Sequence, residues 1–205
     1  MAPGPPPAAR ADRLVTVRRA DWRFLLARPR PGRVVCVGDH DAGLVAALRE
    51  LGADVSVGVQ AGATAPAADV LVLVRPTPGE LALAPTVLRP GGWVYVETGG
   101  LLRRRRRKGA LRGVSACVRT LRLLEFENVV AHWHFPDFES CLEIVPLGDR
   151  RAVSLSLQRR QRRLRTRLQV LAARLALKLR LLPYVVPAAS VIGSLPRSSP
   201  FRDRP

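Results

Sequence analysis

The sequence is poor in acidic residues, aromatic residues and lysine. It contains 16 aspartates and glutamates against 34 basic residues, of which only Lys108 and Lys178 are lysines. Aromatic residues make up 5 % of the chain, so its core must be built mainly from valine, leucine and alanine. Because 47 % of the 205 residues are apolar, the composition indicates a folded chain rather than a disordered one.

Cysteines and long apolar runs are also scarce. Cys36, Cys117 and Cys141 are too few and too widely spaced for a disulfide framework or a metal cluster, and their apolar surroundings predict buried free thiols. No uninterrupted apolar run reaches the roughly 18–20 residues of a transmembrane helix, and residues 1–10 lack the apolar core of a secretory signal. We therefore expect a cytoplasmic protein, with peripheral attachment to a membrane as an open alternative.

The basic residues are concentrated near the end of the chain. Residues 151–205 contain 13 basic residues and one acidic residue, which gives this part a charge of +12 out of the total +18. Such a segment favours an anionic partner, either a membrane surface or another polyanion, through residues 151–182. Neither an RNA-recognition motif nor interleaved aromatic residues accompany it, so nothing indicates sequence-specific binding of nucleic acid.

A leucine stripe within the basic segment predicts an amphipathic helix over residues 156–182, ended by Pro183. Its face could pack on the rest of the chain, pair with another protein or lie on an anionic membrane. The stripe consists of leucines at helical spacing: Leu164, Leu168, Leu171, Leu175, Leu179 and Leu182.

Upstream of this segment, short β-branched runs alternate with helical patterns. That alternation predicts an α/β fold with a doubly wound, mostly parallel sheet, and the uniformly apolar strands indicate a sheet covered on both faces. We expect an N-terminal arm over residues 1–19, an α/β domain over 20–150 and a basic helical extension over 151–205. Strands are predicted near residues 33–38, 54–59, 69–74, 93–97, 128–134 and 141–147, with helices near 44–51, 80–88 and 111–124.

The first predicted strand and its turn carry the pattern most typical of a ligand site. Residues 34–48, VVCVGDHDAGLVAAL, predict a strand, a glycine, a short loop and a helix. Ligands of doubly wound sheets bind at the carboxyl ends of the strands, where Gly38 would allow close approach of the backbone and the helix start would offer free N–H groups.

Four segments together resemble the class I S-adenosylmethionine-dependent methyltransferases over roughly residues 20–148. Gly38 lies at the first glycine of the family's Gly-x-Gly-x-Gly motif, and LRPGGWVYVE (88–97) is similar to its turn into the fifth strand. The segments LLEFENVVAHWHF (123–135) and CLEIVPL (141–147) resemble its final helix and C-terminal antiparallel hairpin. His40 and Ala42 replace the second and third glycines, and no carboxylate follows the second predicted strand, where the family binds the ribose.

The resemblance implies a Rossmann-like methyltransferase fold and a methyltransferase that uses S-adenosylmethionine on a small-molecule acceptor. The alternative is a non-catalytic scaffold of the same fold, whose basic extension binds a membrane, a polyanion or a protein. In the first case the cofactor would be held by residues of the first turn and by one residue after the second strand: Gly38, Asp39, His40, Asp41, Ala42 and Gln60.

Two further patterns could contribute to chemistry. His134 is a candidate general base, because an acceptor hydroxyl or amine must lose a proton during methyl transfer. The basic run 103–108 would follow the fifth strand of the family on the ligand side and could contact phosphates. Asp39, His40 and Asp41 are consecutive and cannot converge on one ion without an unusual loop, so we expect no metal site.

Overall fold

The computed structural model describes residues 16–58, 68–99, 107–159 and 186–197. Within these residues a single sheet has the spatial order β2-β1-β3-β4-β7-β5-β6. Its strands are β1 (Arg33–Gly38), β2 (Asp54–Val57), β3 (Ala68–Val74), β4 (Leu88–Thr98), β5 (Glu127–Phe135), β6 (Glu143–Pro146) and β7 (Ala189–Ser194).

Strands β1 to β4 are parallel, and β7 is antiparallel to both of its neighbours, β4 and β5. Strands β5 and β6 form the predicted antiparallel hairpin, in which Trp133 pairs with Val145. The predicted doubly wound α/β fold is therefore confirmed. None of the helices in the described part of the chain is long and apolar enough to cross a membrane.

Side-chain alternation along the strands builds one core on each face of the sheet. On β1, Val34 and Cys36 belong to the core shared with the first helix, whereas Val35 and Val37 belong to the core on the opposite face. On β4, Tyr95 joins the first of these cores while its neighbours join the second. This arrangement explains why the strands are apolar at nearly every position.

Two helices, Ala42–Glu50 and Gly113–Leu123, begin and end within two residues of their predicted positions. The segment predicted as one helix near 80–88 forms two short helices, and the helix Arg150–Arg159 starts six residues before the predicted 156. Asp41 caps the first helix by accepting a 2.5 Å hydrogen bond from the Leu44 amide, and Thr77 and Glu80 form a reciprocal capping box at the second. The helices are α1 (Ala42–Glu50), α2 (Pro78–Ala82), α3 (Ala84–Val87), α4 (Gly113–Leu123) and α5 (Arg150–Arg159).

Strand β7 comes from residues that the sequence pattern placed in the extension. It joins the two halves of the sheet, and all six of its residues are buried. Helix α5 starts at Arg150, so the sheet domain continues beyond residue 150 and includes residues 186–197. The leucine stripe at 164–182 lies outside the described residues.

Truncation after Arg159 is expected to abolish cooperative unfolding, because it removes the strand that pairs with both β4 and β5. Circular dichroism during urea titration would measure the loss. The matched control is truncation after Arg197, which keeps β7 and should unfold cooperatively like the full chain. A cooperative transition in the shorter variant would contradict a central role for β7.

Candidate functional site

A charged cleft of about 240 Å³ lies at the carboxyl ends of β1, β3 and β4. The chain proceeds from β1 to β2 on one side and to β3 on the other, so the cleft lies at a switch point of the sheet, where open α/β sheets bind ligands. Its walls come from the loop after β1, the ends of β3 and β4, the loop after β5, and Arg19.

Arg19 bridges two walls of this cleft. Its guanidinium makes a two-pronged contact with Glu97 at the end of β4, with N–O distances of 2.5 and 2.7 Å. The same group donates to Asp41 Oδ2 from Nη2 at 2.9 Å and from Nε at 3.3 Å. The Tyr95 hydroxyl donates a further hydrogen bond of 3.1 Å to Glu97. Residues from three distant parts of the chain thus form one hydrogen-bonded network.

Burial strengthens this network electrostatically. Arg19 is 6 % exposed and Glu97 is 2 % exposed, so water screens their attraction weakly. Burial alone would lower the pKa of Arg19, but the hydrogen bond and charge of Glu97 outweigh it and raise that pKa. Burial would raise the pKa of Asp41, yet the Arg19 charge and the Leu44 amide hold it below its usual value. Arg19 and Asp41 are therefore charged at neutral pH.

The candidate cofactor residues occupy one side of the cleft. Asp39, His40 and Asp41 line it, and Asp39 forms an ion pair with Arg75 at the end of β3. His40 Nδ1 lies 3.1 Å from the Gly38 carbonyl oxygen, so the imidazole interacts with its own loop. Ala42 is the exposed first residue of α1. Gln60 lies outside the described residues.

The close approach of strand β3 requires a glycine at position 38. Its φ is +93°, and a Cβ atom there would lie 2.3 Å from the carbonyl oxygen of Val74 in β3. The next residue, Asp39, donates its amide to that same oxygen at 2.9 Å. The tight path of β1 past β3 therefore explains this glycine through the fold itself.

His134 lies behind the cleft wall. It is 2 % exposed, its Nε2 atom is 2.8 Å from Ser190 Oγ, and its ring packs against Phe138, which lines the cleft. Burial, the neighbouring His132 and Arg19 lower the pKa of His134 to about 3. A histidine with that pKa is neutral at pH 7 and accepts protons weakly.

The basic run 103–108 lies largely outside the described residues, which include only its last two positions. Of these, Arg107 donates hydrogen bonds of 2.5 and 2.8 Å to the carboxylate of Glu80.

Three of the charged residues that line the cleft were not identified from the sequence. Glu97 is the last residue of the predicted strand WVYVE, so the strand-end rule that selected Asp39 could have found it. Arg75 likewise follows directly after β3. Arg19 carries no such signal, because it belongs to an apparent arm and lies 78 residues from Glu97 in the chain. Among the described residues, no group of side chains could hold a metal ion.

Comparison with known proteins identifies the fold. No family model and no curated protein matches the chain. A methyltransferase from Archaeoglobus fulgidus that depends on S-adenosylmethionine superimposes with a TM-score of 0.51 at 13 % identity, over 89 % of this chain and 94 % of that one. The chain has the fold of the class I S-adenosylmethionine-dependent methyltransferases. Another such enzyme, from Thermotoga maritima, has a TM-score of 0.49 and 13 % identity, over 91 % of this chain and 95 % of that one.

This methyltransferase fold is expected to tolerate a side chain poorly at Gly38. Gly38→Ala should destabilise the protein by about 3 kcal/mol, because the methyl group collides with the Val74 carbonyl in addition to the cost of a positive φ. Gly52→Ala is the control, since Gly52 has φ +79° but nothing within 4 Å of an added Cβ; it should lose only about 1 kcal/mol. Urea unfolding would compare them, and equal losses would contradict the steric explanation.

The buried histidines should make the methyltransferase fold less stable in acid. Burial lowers the pKa of His132 to about 4 and that of His134 to about 3, both below the usual 6.5. As the pH falls, the two histidines therefore become protonated in the unfolded chain before they do so in the folded chain. Their contribution to the free energy of unfolding is fully present above pH 6.5 and is lost as the pH falls toward the folded pKa values.

His134→Gln should reduce the slope of the free energy of unfolding against pH by up to about 1.4 kcal/mol per pH unit between pH 6 and 4. The slope is obtained from urea unfolding at several pH values and is compared with the wild-type slope. The control is His40→Gln, which changes the partly buried histidine on the loop after β1. An unchanged slope for His134→Gln would mean that His134 titrates normally in the folded protein.

Proposed function

We propose that this chain is a methyltransferase that binds S-adenosylmethionine in the charged cleft and transfers its methyl group to an acceptor. The observation that carries the proposal is the position of the cleft. It lies at the switch point of a methyltransferase-type sheet and includes the loop between β1 and α1. Ligands of open α/β sheets bind at this place.

The charges around the cleft favour a cationic ligand. Its lining includes two arginines, Arg19 and Arg75, against five carboxylates: Asp39, Asp41, Glu97, Asp137 and Glu139. The chain as a whole has a charge of +18, so this acidic excess is local to the cleft. S-adenosylmethionine carries a sulfonium and an α-ammonium group, which the carboxylates would attract, and one carboxylate of its own.

The part of the site expected to bind the ribose has a different composition. Residues 55–68 contain neither aspartate nor glutamate, so the ribose hydroxyls would have no carboxylate partner from the segment after β2. We infer that Gln60 supplies a hydrogen bond there through its amide. A neutral partner of this kind binds a hydroxyl more weakly than a carboxylate does.

The chemistry would depend on position more than on reactive side chains. The bound cofactor supplies a methyl group that is already activated by its positive sulfur. The protein then has to align the acceptor and to keep water out. Phe138, which is 7 % exposed, gives the cleft an apolar wall, and Asp137 holds that loop by accepting hydrogen bonds from the Glu139 and Ser140 amides at 3.0 and 2.7 Å.

For the extension, we keep the proposal that residues 151–182 bind an anionic membrane surface or polyanion. The observation behind it is the charge of +12 carried by residues 151–205, together with the exposure of Arg151 and Arg159 on α5. Attraction of this kind adds roughly 1 kcal/mol for each basic residue near an anionic surface. It is compatible with either a catalytic or a scaffolding role for the sheet domain.

Calorimetric titration tests the proposed function directly. S-adenosylmethionine and S-adenosylhomocysteine are expected to bind with a dissociation constant in the micromolar range, near −8 kcal/mol. ATP, which has the same adenosine but a polyanionic tail, should not compete, because the carboxylates repel it. Absence of heat and of any thermal shift at millimolar S-adenosylmethionine would overturn the proposal and leave the scaffold alternative.

A pair of matched variants locates the binding. Asp39→Asn removes one of the cleft carboxylates and so weakens the attraction for a cationic ligand, and affinity for S-adenosylmethionine should fall by about three- to tenfold. Asp54→Asn is the control, because Asp54 also pairs with an arginine, Arg33 at 3.3 Å, but at the opposite end of the sheet. Equal effects of the two variants would place the ligand elsewhere.

A further inference from the structure

The carboxylates of Asp41 and Glu97 already hold a cation, and that cation belongs to the protein. Arg19 makes four hydrogen bonds to them, three of which are 2.9 Å or shorter. A guanidinium has five N–H donors, so Arg19 has little capacity left for the carboxylate of a ligand. The Arg19 side chain is also only 6 % exposed, so little of its surface is accessible to a ligand.

The backbone around Arg19 is anchored independently of this contact. Trp22 is 1 % exposed and stacks on Tyr95, with ring centroids 4.0 Å apart and an angle of 9° between the planes. Ala20 is fully buried beside it. Because these contacts hold the segment, the Arg19 side chain could leave the cleft by rotating about its own bonds while the backbone stays in place.

The position of Arg19 in the cleft favours such a movement, because its guanidinium occupies both carboxylates. The Arg19 guanidinium lies across the cleft, between Asp41 on one wall and Glu97 on another, and 5.4 Å from the centre of the Phe138 ring. Its departure would expose both carboxylates to the cationic groups of a ligand.

We propose that Asp41 and Glu97 form a binding site for the ligand's cationic groups and that Arg19 is its internal competitor. A ligand bearing an ammonium or sulfonium group displaces the guanidinium and takes over its partners. The inference rests on the proposed function, since it takes S-adenosylmethionine as the displacing ligand. Exchange of one cation for another keeps the buried Glu97 carboxylate paired, which avoids the large cost of a lone buried charge.

The exchange sets the apparent affinity. As long as Arg19 occupies the carboxylates, only the fraction of molecules in which they are open can bind the ligand's cationic groups, and the measured dissociation constant of such a ligand rises accordingly. Weakening the hold of Arg19 should therefore tighten ligand binding. An arginine that merely supports the fold, or that binds the ligand's carboxylate, would give the opposite result when changed.

Arg19→Lys is the main test, because lysine keeps the positive charge beside Glu97 but loses the planar fork that grips both carboxylates. We expect S-adenosylmethionine and S-adenosylhomocysteine to bind about tenfold more tightly to this variant than to the wild type, measured by calorimetry. The matched control is Arg23→Lys, which changes an arginine of the same segment that pairs with Asp21 at 3.3 Å outside the cleft. It should leave both affinities unchanged.

A second probe separates competition for charge from simple opening of space. 5′-Methylthioadenosine has the nucleoside and the thioether but neither an ammonium nor a sulfonium group, so its affinity should change little in Arg19→Lys.

Arg19→Met gives an additional measurement. The melting temperature of this variant should fall, because Glu97 loses its counter-charge. S-adenosylhomocysteine should then raise that temperature by more than it does in the wild type.

The outcomes distinguish the two proposals. If the wild type binds S-adenosylmethionine but Arg19→Lys binds it equally or more weakly, the competitor role is overturned and the proposed function is kept. An equal gain for 5′-methylthioadenosine would also overturn it. If neither protein binds any of the three ligands, the proposed function itself fails. Binding by Arg19→Lys alone would support both.

Discussion

The sheet depends on the insertion of β7 between β4 and β5. Its six buried residues pair on both sides, with Val191 opposite Val96 of β4 and Ala131 of β5. Within the part of the chain that the structure describes, β4 otherwise pairs only with β3, so the hairpin of β5 and β6 joins the parallel strands of the sheet through the pairing of β7. The loop after β5, which carries Phe138, is therefore positioned against the ends of β1 and β3 by residues some fifty positions further along the chain.

Much of this fold was predictable from the periodicity of apolar residues, but that periodicity did not identify β7 as a strand. Strands β1, β3 and β5 begin and end within one residue of their predicted limits, because each is an apolar run bounded by glycine, proline or charged residues. The segment ASVIGS is short, contains Gly193 and lies between Pro187 and Pro196. An apolar run of this length is compatible with several structures, and only pairing with distant strands decides among them.

The same limit applies to the site. Asp39, His40 and Asp41 were found because a strand end marks them locally, and Glu97 carries the same mark. Arg19 was missed because its role arises from contacts across 22 and 78 residues, which no local pattern encodes. Composition gave no help either, because the chain contains 34 basic residues and none of them is marked by its local sequence as buried between two carboxylates.

The residue types in the loop after β1 have a physical explanation in the geometry of that loop. Gly38 has to be a glycine because Val74 lies against it, whatever the cleft binds. The positions of His40 and Ala42 are less restricted: the imidazole turns back toward the Gly38 carbonyl, and Ala42 starts α1 on the exposed side. Side chains at positions 40 and 42 are therefore compatible with the path of this loop. What distinguishes this cleft is its own cation, because Arg19 already pairs with Asp41 and Glu97, the two carboxylates that a cationic ligand would have to share.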